Sequence, residues 1–276
     1  MFKFNCKEKE FVFDEPIVMG IINTTPDSFY EASRLTNIDE ALFVAEKMLK
    51  DGASILDIGG QSTRLGSEMI STDKELKRVI PIIETIHKKF PETIISIDTF
   101  QSQVAIEAVD AGALMVNDIS GGNLDDNMFS TVAKLKVPYI CMHMKGTPQN
   151  MHTQIKYDDV VEEVKNYFID KISLSAHAGI KNLILDIGFG FAKNAEQNFE
   201  LVKNLKKFQS LQKPILLGVS RKSSIYKTLG ITAEDALNGT TVLNTIGILN
   251  GANILRVHDV KEAVEVIKLT HYFFNG

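Results

Sequence analysis

A chain of 276 residues with 30 Lys and Arg against 35 Asp and Glu carries a formal net charge of −5. That balance argues against a broad nucleic-acid or anionic-membrane surface, since general phosphate attraction needs a basic face. Its 44% hydrophobic and 24% charged content is that of an ordinary soluble globular chain, and its two cysteines, Cys6 and Cys141, lack the spacing of a disulfide framework or a zinc site.

The opening stretch MFKFNCKEKEFVFDE is charged throughout and reads as an N-terminal extension over 1–14. It has no apolar segment with a cleavage signal, and no run of 18 apolar residues occurs later, so a cytoplasmic location is expected. Short aliphatic runs then alternate with segments of helical period. The predicted strands are Ile17 to Ile22, Ile55 to Ile58, Ile94 to Ile97, Leu114 to Val116, Tyr139 to Met142, Leu183 to Asp186, Ile215 to Val219 and Ile254 to Val257. They are apolar at consecutive positions, as parallel strands covered on both faces are.

After the first strand, Ile38, Ala41, Leu42, Ala45, Met48 and Leu49 repeat at three-and-four spacing, with Asn37 and Glu40 as a capping pair and Gly52 past the last turn. Similar helix starts are expected at Thr72 with Glu75, Thr232 with Asp235 and Asp259 with Glu262, while Pro81 should kink the second helix or mark its true start. No linker rich in Pro, Gly or Ser divides the chain. The expectation is therefore one α/β domain, a (β/α)8 or TIM barrel over 15–270, whose sites lie on loops after the strands. A doubly wound open sheet shares the alternation with fewer strands.

The barrel requires unusual polar residues after strands and plain turns before them. The segments after the eight strands begin NTTPDSF, GGQSTRLGSE, DTF, NDISGG, HMKGTPQNM, IGFGF, SRKSS and HDV, whereas the turns before strands read KDGAS, DAGAL, AGIKN and NGAN. Asp98, Asn117 and Asp186 close the third, fourth and sixth strands. Buried carboxylates there need cations, backbone N–H groups or a ligand bearing N–H groups, and an aminopyrimidine edge offers such donors; capping of the next loop is the alternative. Arg64, Arg221, Lys222, Arg256 and His258, with Ser62, Thr63 and Ser220, supply cations and hydroxyls suited to phosphate oxygens. Asn23 ends the first strand, where an amide oxygen either ligates Mg²⁺ beside a diphosphate or starts a turn. His87, His152, His177 and His271 fall on helices or surface loops, and His143 is placed to line the mouth. No nucleophile elbow, Walker lysine or Rossmann fingerprint appears.

Taken in order, VMGIINTTPDSF, DIGGQSTRLG, SIDT, VNDISGG, MHMKGTPQNM, DIGFGF, GVSRKS and RVHDV resemble the dihydropteroate synthase family of folate biosynthesis, over about Ile17 to Val260. The resemblance implies a homodimeric TIM barrel that joins 4-aminobenzoate to 6-hydroxymethyl-7,8-dihydropterin diphosphate and releases diphosphate with Mg²⁺. It implies that Asp98, Asn117, Met142, Asp186 and Lys222 hold the pterin. Asn23, Thr63, Arg64, Arg256 and His258 would surround the diphosphate, with Asn23 at the metal, and Phe191, Lys222 and Ser223 would border the aminobenzoate. Two rival readings share the pocket: a methyltetrahydrofolate-dependent methyltransferase, which needs no diphosphate cradle, and a pterin-binding protein without turnover. The chain departs from the family pattern at Leu65 and Ile187, where the family has proline, and SFYEASRLTN lacks the usual glycines. Weakened sulfonamide inhibition is the expectation from Leu65, because φ there is less constrained.

Overall fold

The computed structural model describes residues 1–7, 9–24, 34–62 and 69–275. Along the chain run β1 (Phe2–Cys6), β2 (Lys9–Phe13), β3 (Ile17–Asn23), α1 (Arg34–Lys50), β4 (Ile55–Gly59), α2 (Thr72–Lys89), β5 (Ile94–Asp98), α3 (Ser102–Asp110), β6 (Met115–Asp118) and α4 (Met128–Leu135). There follow β7 (Tyr139–Met142), α5 (Val160–Ala178), β8 (Leu183–Asp186), α6 (Ala195–Lys203), β9 (Ile215–Leu217), α7 (Ser223–Leu229), α8 (Leu237–Leu249), β10 (Ile254–Val257) and α9 (Val260–Asn275). Strands β3 to β10 are all parallel and close into one barrel, β10 pairing with both β9 and β3. These are the eight strands expected from the aliphatic runs, with ends moved by one or two residues; the seventh stops at Leu217 rather than Val219.

Side chains alternate across each strand, and here the alternation sorts them into three populations. Outward residues such as Leu56, Ile58, Ile97, Val116, Cys141, Leu185, Leu217 and Leu255 join the helices in one core. Inward residues near the strand starts, among them Met19, Ile55, Met115, Ile140, Ile184, Leu216 and Ile254, form a separate apolar cluster inside the barrel. Two residues further along, the inward positions become Asp57, Asn117, Met142, Asp186, Gly218 and Arg256. A step of two residues is about 6.6 Å, so the interior passes from apolar to charged within one layer.

The apolar end is stoppered by β1 and β2, an antiparallel hairpin in what the sequence presented as a charged extension. Phe4 is buried against the inward cluster, with Phe2, Phe11 and Phe13 packed beside it. The Phe2–Phe13 and Phe4–Phe11 ring centroids lie 5.2 and 5.5 Å apart, within the range of favourable aromatic pairs.

The helix starts depart from expectation in three places. Helix α1 already begins at Arg34, so Asn37 lies inside it. Ser71, not Thr72, caps α2, its side chain accepting from Lys74 N. Thr232 Oγ1 does meet Asp235 Oδ2 at 2.9 Å, but in a turn that precedes α8 by several residues. Pro81 sits inside an α2 that runs unbroken from Thr72 to Lys89.

Candidate active site

Four strands contribute to one ion-paired network at the carboxyl end of the barrel. Asp57 Oδ2 of β4 accepts from Asn117 Nδ2 of β6 at 2.9 Å and from Arg256 Nε of β10 at 2.7 Å. Arg256 Nη2 donates to Asp98 Oδ2 of β5 at 2.6 Å. One guanidinium thus bridges two carboxylates across the barrel, and the fork geometry of arginine makes that possible. Burial works against the Arg256 charge, yet Asp57 and Asp98 together hold its pKa above the ordinary value. Asp98 is pushed up to about 7, chiefly by burial and further by neighbouring carboxylates, with Arg256 pulling the other way.

Lys222, just before α7, brings a second cation to the same place. Its Nζ donates to Phe189 O at 2.5 Å and lies 4.7 Å from the centroid of the Phe191 ring. Gly218 faces both cations: a Cβ there would stand 3.8 Å from Lys222 Nζ and 3.8 Å from Arg256 Cβ. Burial lowers the Lys222 pKa to about 8, with Asp186 opposing and Arg256 assisting. Asp186 Oδ1 accepts from Gly188 N at 2.8 Å, and burial raises its pKa against the pull of Lys222. Phe191 and Met142 pack with Phe100, Ile119, Met144, Met151 and Ala192 into an apolar patch beside these charges. A charged network next to a flat apolar surface suits a planar heterocycle with a polar edge.

On the rim, Ser220 Oγ lies 3.1 Å from His258 Nδ1 and accepts from His258 N at 3.2 Å. His258 is exposed, yet the protein around it, and then Arg256, lower its pKa to about 4. It is neutral at neutral pH. Arg221 faces away, held by both oxygens of Asp259 at 2.8 and 2.9 Å and by the Ala233 carbonyl at 2.9 Å. Asn23, half-buried, ends β3 beside Gly59, and Ser223 opens α7, half-buried. Thr63, Arg64 and Leu65 lie outside the described residues, as does most of SFYEASRLTN.

Residues 19–258 match the model of the pterin binding enzyme family. Dihydropteroate synthase of Escherichia coli is 41% identical over 92% of this chain and 90% of its own length. The chain belongs to the dihydropteroate synthases. Among solved structures, the Yersinia pestis dihydropteroate synthase in a sulfonamide drug complex superposes with a TM-score of 0.93 at 36% identity, covering all of both chains. The Xanthomonas albilineans dihydropteroate synthase with 4-aminobenzoic acid gives 0.92 at 35% identity, covering 99% of this chain and 98% of that one. Enzymes of this family are transferases.

Of the residues that the sequence nominated for a dihydropteroate synthase, Asp98, Asn117, Met142, Asp186, Phe191, Lys222 and Arg256 converge through the contacts above. His143 does not line the mouth: its ring is buried, edge-on to Tyr167 at 4.8 Å, with Nδ1 3.0 Å from Lys193 Nζ. Asp57 and Lys193 are among the buried polar residues that escaped the sequence reading. Asp57 was visible as the lone charge in the run ILDIG, and Lys193 as a lysine ending the apolar turn GFGFAK. Among the described residues, no cluster of three or more His, Cys, Asp or Glu could hold a metal ion. Within the barrel-mouth reading, a lone amide such as Asn23 fits Mg²⁺ that takes most of its oxygens from a diphosphate and water.

Proposed function

We propose that the mouth condenses 6-hydroxymethyl-7,8-dihydropterin diphosphate with 4-aminobenzoate, giving 7,8-dihydropteroate and diphosphate. The observation that carries this reading is the Asp57–Arg256–Asp98 bridge beside Asn117. It presents carboxylate and amide groups, fixed in direction, to a ring edge bearing N–H donors. In this reading Asp98, Asn117, Asp186 and Lys222 bind the pterin with Met142 on its face. Asn23, Thr63, Arg64, Arg256 and His258 surround the diphosphate, and Phe191, Lys222 and Ser223 border the aminobenzoate.

The C–O bond to diphosphate breaks and its electron pair leaves with the oxygen. The pterin methylene is left electron-poor, and the buried carboxylates Asp98 and Asp186 stabilise positive charge spread over the ring. The arylamine nitrogen then forms the new C–N bond and releases a proton. The apolar patch of Phe100, Ile119, Met142 and Phe191 keeps water from the methylene carbon. Mg²⁺, held by the diphosphate and Asn23, would neutralise charge on the leaving group.

We place the enzyme in the cytoplasm, which its two free, buried cysteines support. We also propose a homodimer. Val242, Ile246 and Leu249 are exposed along α8 at four- and three-residue spacing, Leu229 and Ile231 are exposed nearby in sequence, and α8 packs against α9, which exposes Leu269, Tyr272 and Phe273. Residues 15–270 act as the catalytic barrel in this reading. The deciding experiment is a diphosphate-release assay with both substrates, each omitted in turn. Release that needs both supports the synthase; pterin binding by calorimetry with no release would sink it. Sulfonamide inhibition weaker than for the Escherichia coli enzyme, and strengthened by Leu65→Pro, is the expected signature of the second loop.

A further inference from the structure

The turn between β8 and α6 carries two groups that the proposed site uses, the Phe191 ring and the Phe189 carbonyl to which Lys222 is bonded. Its backbone is unusual. Gly188 and Gly190 have φ of +67° and +85°, and Ala192, which has a side chain, adopts φ of +50°. Such a turn does not hold its shape by local preference alone. A Cβ on Gly188 would fall 2.0 Å from the His143 carbonyl oxygen, so this turn is pressed against the end of β7.

Lys193 sits at the middle of that contact, buried, at the turn's far end. Its Nζ lies 3.0 Å from His143 Nδ1 and reaches the carbonyl oxygens of Phe191, Gly188 and His143 at 2.9, 3.0 and 3.3 Å. Four acceptor positions around one amine, from both sides of the turn and from the neighbouring strand, make a clasp. On the opposite side Asn198 accepts from Gly190 N at 2.7 Å and donates to Ser224 Oγ at 3.0 Å, tying the turn to α7. Burial lowers the Lys193 pKa to about 7, with Asp186 opposing and Lys222 and Lys145 assisting. A lysine kept in so costly a place with no contact to the proposed ligands has a local role to explain it.

Building on the synthase reading, we propose that Lys193 is a positioning residue for the arylamine half of the site: it clasps the 188–191 turn to His143 and thereby sets the Phe191 ring and the Phe189 carbonyl. The residue does not touch substrate. It acts through the two groups it holds, and a displacement of an ångström at such groups costs on the order of a hundredfold in rate when the geometry is demanding.

The test uses the full-length enzyme, with hydrogen exchange and steady-state kinetics measured on the same samples. Lys193→Met removes the donors at nearly constant volume. It should accelerate amide exchange in 187–193 while leaving exchange in β4 and β5 unchanged, and raise KM for 4-aminobenzoate about tenfold or more, a larger change than in calorimetric pterin affinity, which Lys222 shares with Asp98, Asn117 and Asp186. If Lys193→Met folds poorly, His143 supplies the second arm. His143→Asn keeps a polar atom near the Nδ1 position and should preserve the wild-type KM, whereas His143→Phe should raise it in the direction of Lys193→Met. Unchanged exchange and KM in folded Lys193→Met, or equal effects of the two His143 variants, would overturn the proposal. Wild-type enzyme that releases no diphosphate would instead sink the synthase reading, and the exchange data would still judge the clasp.

Discussion

The two ends of the barrel are built from the same eight strands yet follow opposite rules. At the base, inward Met19, Ile55, Met115, Ile140, Ile184, Leu216 and Ile254 meet the phenylalanines of the β1–β2 hairpin in one apolar cluster. At the mouth, two to four residues further along, Asp57, Asp98, Asn117 and Asp186 are buried around a half-buried Arg256. Burying a phenylalanine removes roughly 150–250 Å² from water, which stabilises the fold. Burying a carboxylate costs several kcal/mol unless it is paired. The base is therefore where this protein gains stability, and the mouth is where it gives some up to hold groups that water would otherwise solvate.

The sharpest way to break that contrast is Asp98→Asn. Activity should fall by on the order of 10³ in kcat/KM, about 4 kcal/mol, because the ring loses its carboxylate. Stability should not follow. A carboxyl whose pKa is raised by folding contributes stability below its ordinary pKa and loses it as pH rises, so at pH 8 the Asp98 carboxylate is a net cost that asparagine lacks. Arg256 keeps Asp57 as a partner. A melting temperature at pH 8 that drops sharply alongside activity would erase the distinction between the ends.

Phe4→Ala is the reciprocal change at the base. Chemical denaturation should show a loss of about 3 kcal/mol or more, while kcat/KM for the folded fraction stays within about twofold. A smaller effect is expected from Asp57→Asn, which leaves Arg256 its bond to Asp98 but weakens the direction given to Asn117. Calorimetry should register roughly tenfold weaker pterin binding, about 1.4 kcal/mol. The mildest probe is pH itself. Lys222 titrates at about 8, so binding that needs its ammonium form is complete below that pH and declines above it. KM for the pterin diphosphate should rise a few-fold between pH 7 and about 8.5, and Lys222→Met should abolish this alkaline limb.

The sequence carried the barrel because each strand of it is short, aliphatic and followed by chemistry. It carried the mouth because Asp98, Asn117, Asp186 and Arg256 stand at strand ends, where an inward side chain reaches the opening. The hairpin was harder. Phe2 and Phe4 do alternate with Lys3 and Asn5, but Val12 stands between Phe11 and Phe13, and the turn at Lys7 has a left-handed φ of 53° without the Gly or Asn that advertises one. Asp57 lies in the middle of its strand rather than at its end, and its partners come from 60 and 199 residues away. No local pattern reports such pairs. Lys193 was hidden for a related reason: its partners include three backbone carbonyls, and carbonyls leave no mark in a sequence.

The aromatic stopper has one more effect. A vessel closed at the bottom is entered from the top, and what enters there must pass whatever already stands inside. If the bicyclic ring rests against strand residues while the arylamine rests against the outer turns, the second guest shuts the first one in. Traffic through such a cul-de-sac is ordered by depth: the heterocycle must arrive before the amine, and the joined product must back out along the path by which both came.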